Sequence, residues 1–311
     1  MTRVVFMGSP AFAVPSLRAL VAAGYDVVQA VTQPDRPAGR GGKLAPPDVK
    51  LAALEFAIPT LQPETLKDEP VRQALRDLHP DLFVVAAYGK ILGRPVLDIP
   101  KRGCINVHAS LLPRWRGASP ITAAILAGDA EAGVSIMEMA LKMDAGGVIS
   151  QRAVPIAPTD TTGRLEPRLA EAGAALLVET LPGWLDGSLP AIAQDASLVT
   201  ECWQIRKDDG RLRATMTAHE AERAVRAYSP WPGASVTYEG ARLAIWRAEV
   251  ALADADAQPG ALSVVNRCPA VAFRDGRLVL RELQRPGGRI LTGEQFLAGT
   301  RGQLPGAVEL L

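Results

Sequence analysis

The sequence predicts an α/β protein in which a parallel-sheet domain is followed by a small β-barrel domain. Residues 4–7 form a short apolar run, residues 15–23 have helical spacing, and residues 26–32 form a second strand. Residues 82–87, LFVVAA, are a continuous apolar run, which is typical of a strand covered on both faces. Short strands separated by glycine turns recur between residues 234 and 280, and this spacing indicates a barrel.

The first strand, helix and second strand form a βαβ unit, so their strands should pair in parallel through a right-handed crossover. This order is Rossmann-like, but the turn after the first strand reads GSPAFA rather than GxGxxG, which argues against dinucleotide binding. A chain of 311 residues is long enough for two domains. We therefore predict a Rossmann-like domain at residues 1–188, a linker at 189–203 and an OB-like β-barrel at 204–311.

Composition and charge exclude several classes of protein. The chain is 48% apolar with no apolar run long enough for a membrane span, and we do not expect its start, MTRVVFMGSP, to be a secretory signal. The formal charge of +1 excludes a globally basic nucleic-acid binder but allows local basic patches. Cys104, Cys202 and Cys268 are widely spaced, so we expect no disulfide scaffold and no metal site. A reducing cytoplasm fits the cysteine spacing. We also expect a monomer.

A candidate reaction centre follows from residues 104–108, CINVH. Apolar and polar residues alternate there, so the run predicts a strand that places Asn106 and His108 on one face. A basic loop, LLPRWRG, follows directly. An amide can donate a hydrogen bond to an oxygen that gains negative charge, and an imidazole can carry a proton near neutral pH. A hydrogen-bonded structural histidine is the alternative, which these residues alone leave open.

Two parts of the chain carry basic residues that could meet a nucleic acid. Residues 33–49, QPDRPAGRGGKLAPPDV, contain Arg36, Arg40 and Lys43. This stretch is too long and polar for an ordinary connection, so we predict a functional or mobile loop, with a solvated insertion as the alternative. Residues 204–311 have 15 Lys and Arg against 12 Asp and Glu, a mild bias that is compatible with RNA binding without showing it.

The run GCINVHASLLPRWRGASP at residues 103–120, together with Asp-Ala-Gly at residues 144–146, resembles the signature of the folate-dependent formyltransferases. The resemblance runs along nearly the whole chain and is strongest to the members that act on methionyl-tRNA. It implies transfer of the formyl group of 10-formyltetrahydrofolate to the free amino group of methionine on initiator methionyl-tRNA. It also implies a catalytic trio of Asn106, His108 and Asp144, with no metal.

The same resemblance assigns the binding residues. The positions that match folate-binding segments of the family are Tyr88, Gly89, Lys90, Ile91, Leu92, Ser110, Leu111, Leu112, Pro113, Gly117 and Met139. The stretch at 33–49 resembles the arm by which such enzymes enter the tRNA acceptor stem, which implies tRNA contacts from Arg36, Arg40 and Lys43, and also from Arg114 if it does not simply brace its loop. The segment RAYSPWPGA at residues 226–234 resembles the hallmark of the second domain, which would hold the tRNA body.

Two segments depart from the family's usual pattern. Residues 144–147, Asp-Ala-Gly-Gly, stand where Asp-Thr-Gly and an acidic residue are usual, and residues 213–215, Arg-Ala-Thr, stand where an Asp-Trp pair is usual. A sugar-amine formyltransferase, or a formyltetrahydrofolate hydrolase that uses water, would keep the chemistry and change the acceptor. A non-catalytic RNA-binding module is a third interpretation, against which the complete trio argues. The basic arm favours tRNA as the acceptor.

Overall fold

The computed structural model of the chain describes residues 1–38, 42–252, 257–300, 304 and 306–311. The chain forms two compact units. Unit 1 comprises Met1–Pro120, Glu131–Pro155 and Glu166–Cys202, and unit 2 comprises Ile121–Ala130, Ile156–Leu165 and Trp203–Leu311. Within the described ranges, no helix is both long enough and apolar enough to cross a membrane.

Strands and helices alternate in the first part of the described chain, and strands dominate the last part. The strands are β1 (Arg3–Gly8), β2 (Asp26–Val31), β3 (Arg36–Ala38), β4 (Lys43–Ala45), β5 (Thr60–Leu61), β6 (Leu82–Ala86), β7 (Cys104–His108), β8 (Arg116–Gly117), β9 (Glu131–Glu138), β10 (Val148–Pro155), β11 (Glu201–Cys202), β12 (Ala234–Tyr238), β13 (Ala241–Leu252), β14 (Leu262–Val265), β15 (Cys268–Ala272), β16 (Gly276–Gln284) and β17 (Leu291–Thr292). The α-helices are α1 (Val14–Ala22), α2 (Asp48–Glu55), α3 (Glu69–Asp77), α4 (Arg94–Leu97), α5 (Pro120–Ala127), α6 (Thr162–Asp186), α7 (Ala218–Ala227) and α8 (Gly293–Gly299).

Unit 1 is built on a seven-stranded sheet of order β10-β9-β7-β6-β1-β2-β5. Strands β7, β6, β1, β2 and β5 pair in parallel, as the sequence predicts. Every residue of β6 is buried, which explains its continuous apolar sequence. The Rossmann-like α/β prediction is confirmed for this unit.

Strands β9 and β10 run antiparallel to their neighbours. The sequence predicts a strand at residues 134–139 without its direction, and it does not predict β10. In the pairing of β7 with β9, His108 lies opposite Ser135 and Ile105 lies opposite Glu138. Because β9 ends beside the start of β7, the loop that follows it has to return along β7 to reach His108.

Helix α6 is longer than the sequence predicts. The periodicity predicts a helix over residues 162–180 and assigns Pro182 to a stiff stretch before the linker, but α6 continues through Pro182 to Asp186. A proline inside a helix costs roughly 3 kcal/mol, because it removes one hydrogen bond and crowds the preceding turn. Leu177 and Leu181 are fully buried on the same part of α6, and their packing offsets this cost.

Unit 2 contains a six-stranded antiparallel sheet in which β12-β13-β16-β15-β14 form the main path and β17 pairs with β16. Antiparallel bridges join Thr237 of β12 to Glu309, and Ala261, next to β14, to Ala307. Both edges of the sheet therefore pair with the same C-terminal segment, which closes a small barrel as predicted. The sequence predicts a helix at residues 218–227, and α7 has these bounds. Its buried residues pack in the barrel core.

Candidate active site

The candidate reaction centre lies on one face of β7, where Asn106 and His108 are two residues apart. His108 is 6% exposed, and its Nε2 lies 3.0 Å from the carbonyl oxygen of Trp115. Because a carbonyl oxygen only accepts hydrogen bonds, Nε2 carries a proton and donates it. The neutral imidazole therefore has its lone pair on Nδ1, which is the nitrogen that can take up a proton.

Asp144 completes this centre from the loop that follows β9. Its Oδ2 lies 3.8 Å from His108 Nδ1 and accepts a 2.8 Å hydrogen bond from the backbone N–H of Gly117. The carboxylate thus faces the imidazole nitrogen that can become charged, while the basic loop holds it in place. A positive charge on that ring would be stabilised by the carboxylate at this short distance.

Asn106 brings an amide to the same face of the sheet. It lies in the central part of β7, opposite Val85 of β6 and Met137 of β9, so its backbone is fixed on both sides. The residue is half-buried, and among the described residues its side chain has no hydrogen-bond partner. The amide is therefore free to bind a ligand.

Three non-glycine residues in this region have left-handed backbones. The φ angles are 46° at Ala87, 59° at Trp115 and 50° at Asp144. Each such residue costs roughly 1–2 kcal/mol, because its Cβ crowds the backbone. Strain of this kind persists where the surrounding structure enforces it, and it clusters at functional sites. Two of these strained residues belong to the candidate centre. The carbonyl of Trp115 accepts the hydrogen bond from His108, and Asp144 is itself a catalytic candidate.

Side chains of β9 and β10 fasten the basic loop. Ser135 is fully buried, and its hydroxyl donates to the carbonyl of Ser110 (2.6 Å) and accepts from the N–H of Leu112 (3.1 Å). Gln151 donates to the carbonyl of Leu112 (2.8 Å) and to Ser135 Oγ (2.9 Å). The Ser110 hydroxyl donates to the carbonyl of Arg114 (2.6 Å). These bonds use every donor and acceptor of the Ser135 hydroxyl, so the loop has a defined position.

Residues 191–202, which the sequence assigns to a linker, contact the other side of the same loop. The N–H of Thr200 donates to the carbonyl of Pro113 (3.3 Å), and the carbonyl of Thr200 accepts from the N–H of Arg116 (2.9 Å). Thr200 Oγ1 accepts from the N–H of Trp115 (2.8 Å). Strand β11 then pairs in parallel with β8. The loop is therefore held by backbone hydrogen bonds along most of its length.

Gly117 and Cys202 meet where β8 and β11 pair. The φ angle of Gly117 is 122°, and a methyl group on its Cα would lie 2.0 Å from the carbonyl oxygen of Cys202. Cys202 Sγ lies 3.7 Å from the carbonyl oxygen of Trp115, which also accepts from His108. Burial raises the pKa of the Cys202 thiol, so the thiol stays protonated and donates to this oxygen. Only glycine fits at position 117.

The segment predicted to bind folate after β6 is partly core and partly surface. Tyr88 is 2% exposed, its hydroxyl has no hydrogen-bond partner among the described residues, and burial raises the pKa of Tyr88 to about 12. Gly89 follows with a φ of 78°, and Lys90 Nζ donates to the carbonyls of Pro63 and Glu64. Ile91 is exposed, whereas Leu92 and Met139 pack in the same core as Tyr88. A ligand can thus meet the backbone here and the side chain of Ile91.

The predicted tRNA arm begins as a two-stranded hairpin of β3 and β4. Arg36 is exposed on β3, with its Nη2 3.7 Å from Glu64 Oε2, and Lys43 lies on β4. Arg40 lies outside the described residues. The guanidinium of Arg114 lies 4.3 Å from the centroid of the Trp115 ring, which is consistent with bracing of the loop. The contact of Arg114 with tRNA stays a prediction.

A polar network ties the base of this hairpin to the segment after β6. Lys50 Nζ contacts both carboxylate oxygens of Asp35 at 2.9 Å and Gln62 Oε1 at 2.7 Å. Gln62 donates to Asp35 and to the carbonyl of Gln33, and Gln33 Nε2 donates to the carbonyl of Tyr88 (3.0 Å). The hydrogen bond from Gln62, with that from Lys50, keeps the pKa of Asp35 below its usual value. The arm is therefore anchored to the sheet.

Comparisons with known proteins assign the family. The Formyl transferase model matches residues 2–181, and the model of the Formyl transferase C-terminal domain matches residues 204–301. A methionyl-tRNA formyltransferase of Methylococcus capsulatus is 48% identical over 95% of this chain and 96% of its own. One of Chloroflexus aggregans is 47% identical over 96% of this chain and 97% of its own. The chain belongs to the methionyl-tRNA formyltransferases, a branch of the formyl transferase family. This confirms the family predicted from residues 103–120 and 144–146.

Solved structures share the architecture of this formyl transferase at lower sequence identity. A sugar 3N-formyl transferase, crystallised in the presence of dTDP and 5-N-formyl-THF, superposes with a TM-score of 0.67 at 17% identity, over 93% of this chain and 99% of its own. A methionyl-tRNA formyltransferase from Clostridium thermocellum superposes with a TM-score of 0.55 at 13% identity, over 80% of this chain and 93% of its own. At such identities these likenesses show the fold.

The structure brings His108 and Asp144 together on the β7 face that Asn106 shares, and it places the basic loop beside them. The sequence pattern did not reveal the side chains that hold this arrangement, which are Ser135, Gln151, Gln194, Thr200 and Cys202. Ser135 and Gln151 lie on strands, where a polar residue facing inward is the only signal. The others lie in a segment without periodicity, which contains no sequence signal for this role.

Proposed function

We propose that this formyl transferase moves the formyl group of 10-formyltetrahydrofolate to the free amino group of methionine on initiator methionyl-tRNA, which yields formylmethionyl-tRNA for translation initiation. The observation that best supports this reaction is the 3.8 Å distance between Asp144 Oδ2 and His108 Nδ1. Relatives that match along nearly the whole chain are methionyl-tRNA formyltransferases, which supports methionyl-tRNA as the acceptor. We further propose that the protein acts in the cytoplasm, which a role in translation supports, and that it is a monomer.

Asn106 binds the formyl oxygen in this proposal. As the methionine amine attacks the formyl carbon, that oxygen gains negative charge and needs a hydrogen-bond donor. The Asn106 amide has no partner among the described residues, and β7 fixes its position between two strands. A donor placed in advance needs no reorganisation during the reaction, and loss of one such donor typically costs about 10²–10³ in rate.

His108 and Asp144 carry out the proton transfer. The attacking amine must lose a proton and the folate nitrogen must gain one before it leaves. His108 Nδ1 can take the first proton and return it to the folate nitrogen, while the Asp144 carboxylate balances the charge at 3.8 Å. The hydrogen bond from Nε2 to the Trp115 carbonyl keeps the ring in the orientation that this transfer requires.

The folate-binding prediction combines three segments around this centre. The backbone of residues 88–92 offers hydrogen-bonding groups that can recognise a flat heterocycle. Residues 110–113 and Gly117 belong to the basic loop, and Met139 borders the Asp144 loop. Ile91, exposed at 77%, is a large apolar side chain that a bound ring could cover. We propose that tetrahydrofolate derivatives bind along these segments.

The basic arm supports tRNA as the acceptor. Arg36 lies on β3 and Lys43 on β4 of the hairpin, and Arg40 belongs to the part of the arm outside the described residues. Such an arm can contact phosphates at the end of an acceptor stem, so that the 3′ end can bend towards the reaction centre. We further propose that the barrel of unit 2 binds the body of the tRNA.

Formylation of the charged tRNA is the direct test of this function. Purified protein is incubated with 10-formyltetrahydrofolate and methionyl-tRNA, with free methionine and a sugar amine in parallel. We expect formylmethionine only on the charged tRNA. Transfer to the sugar amine instead would keep the chemistry but replace the acceptor, which is the outcome that the sugar N-formyl transferase neighbours represent. Release of formate without transfer would indicate a hydrolase.

Arg40→Ala should weaken the use of tRNA far more than the binding of folate. We expect KM for methionyl-tRNA to rise about tenfold and its dependence on salt to weaken, because one phosphate contact is lost. KM for 10-formyltetrahydrofolate should stay unchanged. Arg18→Ala is the matched control, since Arg18 is an exposed arginine of α1 that pairs with Glu55, and neither residue belongs to the 33–49 stretch. Equal losses for both substrates would contradict the role of the arm.

A further inference from the structure

The side chain of Gln194 connects the loop of Asp144 to the basic loop. Its Nε2 donates to the carbonyl oxygens of Asp144 (2.8 Å) and Gly146 (2.7 Å). Its Oε1 accepts from Arg116 Nε (2.9 Å). Both N–H donors of the amide are therefore engaged on the turn that carries the catalytic carboxylate, and its oxygen is engaged on the residue next to Gly117.

Backbone pairing places Gln194 at this position. Ile192 and Val148 exchange two hydrogen bonds of 2.8 Å, which seats the 191–202 segment against the start of β10. The two segments approach so closely that a methyl group on Gly147 would lie 2.8 Å from the Cβ of Ala191. Two residues beyond this bridge, Gln194 reaches the turn at Asp144. Its contacts therefore belong to a fixed part of the fold.

The turn that Gln194 holds has a strained backbone at Asp144. Asp144 has a φ of 50°, a conformation that a residue with a Cβ adopts only at a cost of roughly 1–2 kcal/mol. The two hydrogen bonds from one amide fix the carbonyls on either side of Ala145 and so oppose relaxation of that turn. Relaxation would move the carboxylate away from Gly117 and from His108.

We infer that Gln194 is a positioning residue, which acts through the Asp144 turn to hold the carboxylate against His108 Nδ1. The inference rests on the proposed function, since it concerns the rate of the same transfer. A contribution through Arg116 is the competing explanation, because Arg116 is 8% exposed and binds the Gln194 oxygen. The two explanations differ in which atom of the amide matters.

Two substitutions separate these atoms. Gln194→Ala removes all three hydrogen bonds, whereas Gln194→Glu keeps an oxygen for Arg116 and removes both donors to the turn. We expect both variants to lower kcat by about 10–100-fold, because small displacements of a catalytic group have effects of this size. KM for both substrates should change by less than about twofold, since a positioning residue acts on the Asp144 turn and leaves substrate binding unchanged. The melting temperatures should stay near that of the control.

Asp195→Ala is the matched control, because Asp195 is the next residue and its carboxylate serves only a local turn with Ser197 in the contacts the structure describes. It should have wild-type kcat and KM. Wild-type kcat in Gln194→Ala, or a loss in Gln194→Ala that Gln194→Glu does not share, would overturn the inference. A wild-type protein that transfers formyl to no amine would instead refute the proposed function, and the inference would fall with it.

A double-mutant cycle tests whether Gln194 works through Asp144. Single-turnover rates are compared for wild type, Gln194→Ala, Asp144→Asn and the double variant. If Gln194 only places the carboxylate, Gln194→Ala should cost less than about twofold once the carboxylate is gone. The full loss of the single variant, repeated on the Asp144→Asn background, would show an independent role and reject the positioning role.

Discussion

His108→Ala should lower kcat for formyl transfer by about 10³-fold, equivalent to about 4 kcal/mol of transition-state stabilisation. The substitution removes the imidazole whose Nδ1 lies 3.8 Å from Asp144 Oδ2, which is the group that exchanges protons in the proposed mechanism. The neighbouring Asn106 amide remains, so in the proposed mechanism the residual rate reports binding of the formyl oxygen without proton transfer. Methionyl-tRNA and folate should bind nearly as in the wild type.

Single-turnover formylation of methionyl-tRNA measures this loss, with a thermal melt to show that the buried site still folds. His219→Ala serves as the control, because His219 is an exposed histidine on α7 and should not affect transfer. Turnover of His108→Ala within threefold of wild type would remove the histidine from the mechanism. It would also leave the structural histidine as the correct interpretation of residues 104–108.

Gly117→Ala should reduce kcat/KM by at least about a hundredfold, because displacements of about 1 Å near reacting groups have effects of this size. The added methyl group would lie 2.0 Å from the carbonyl oxygen of Cys202, so β8 and β11 have to separate. The N–H of Gly117 would then move from Asp144, and the Trp115 carbonyl would move from His108. Overpacking of this kind also lowers the free energy of unfolding, by roughly 1–3 kcal/mol.

Gly103→Ala separates the effect of the collision from that of the backbone angle. Gly103 also has a positive φ, of 75°, but a methyl group there would have no other atom within 4 Å. We expect this variant to lose only about 1–2 kcal/mol of stability and to keep its kcat. Similar kinetic losses in Gly117→Ala and Gly103→Ala would mean that the contact with Cys202 is unimportant. Steady-state kinetics and urea unfolding of both variants provide the comparison.

Local patterns were enough to predict much of the framework. The strand at residues 104–108 and the helix at residues 218–227 have the predicted bounds, because alternation and helical spacing are properties of neighbouring residues. The buried runs of β1 and β6 likewise indicated a parallel sheet. The end of α6 was missed, since burial of Leu181 outweighs the local effect of Pro182.

Local sequence patterns predicted the Rossmann-like domain, the barrel, the family, and the shared face of Asn106 and His108, because each follows from residues close together in the chain. The contact of Asp144 with His108 Nδ1 depends instead on the tertiary structure, namely on the antiparallel direction of β9 and on the return of its loop along β7. The tertiary structure also shows that Ser135, Thr200 and Gln194 hold the site. Their bonds join side chains to backbone groups far away in sequence, and such contacts leave no periodic pattern in the chain.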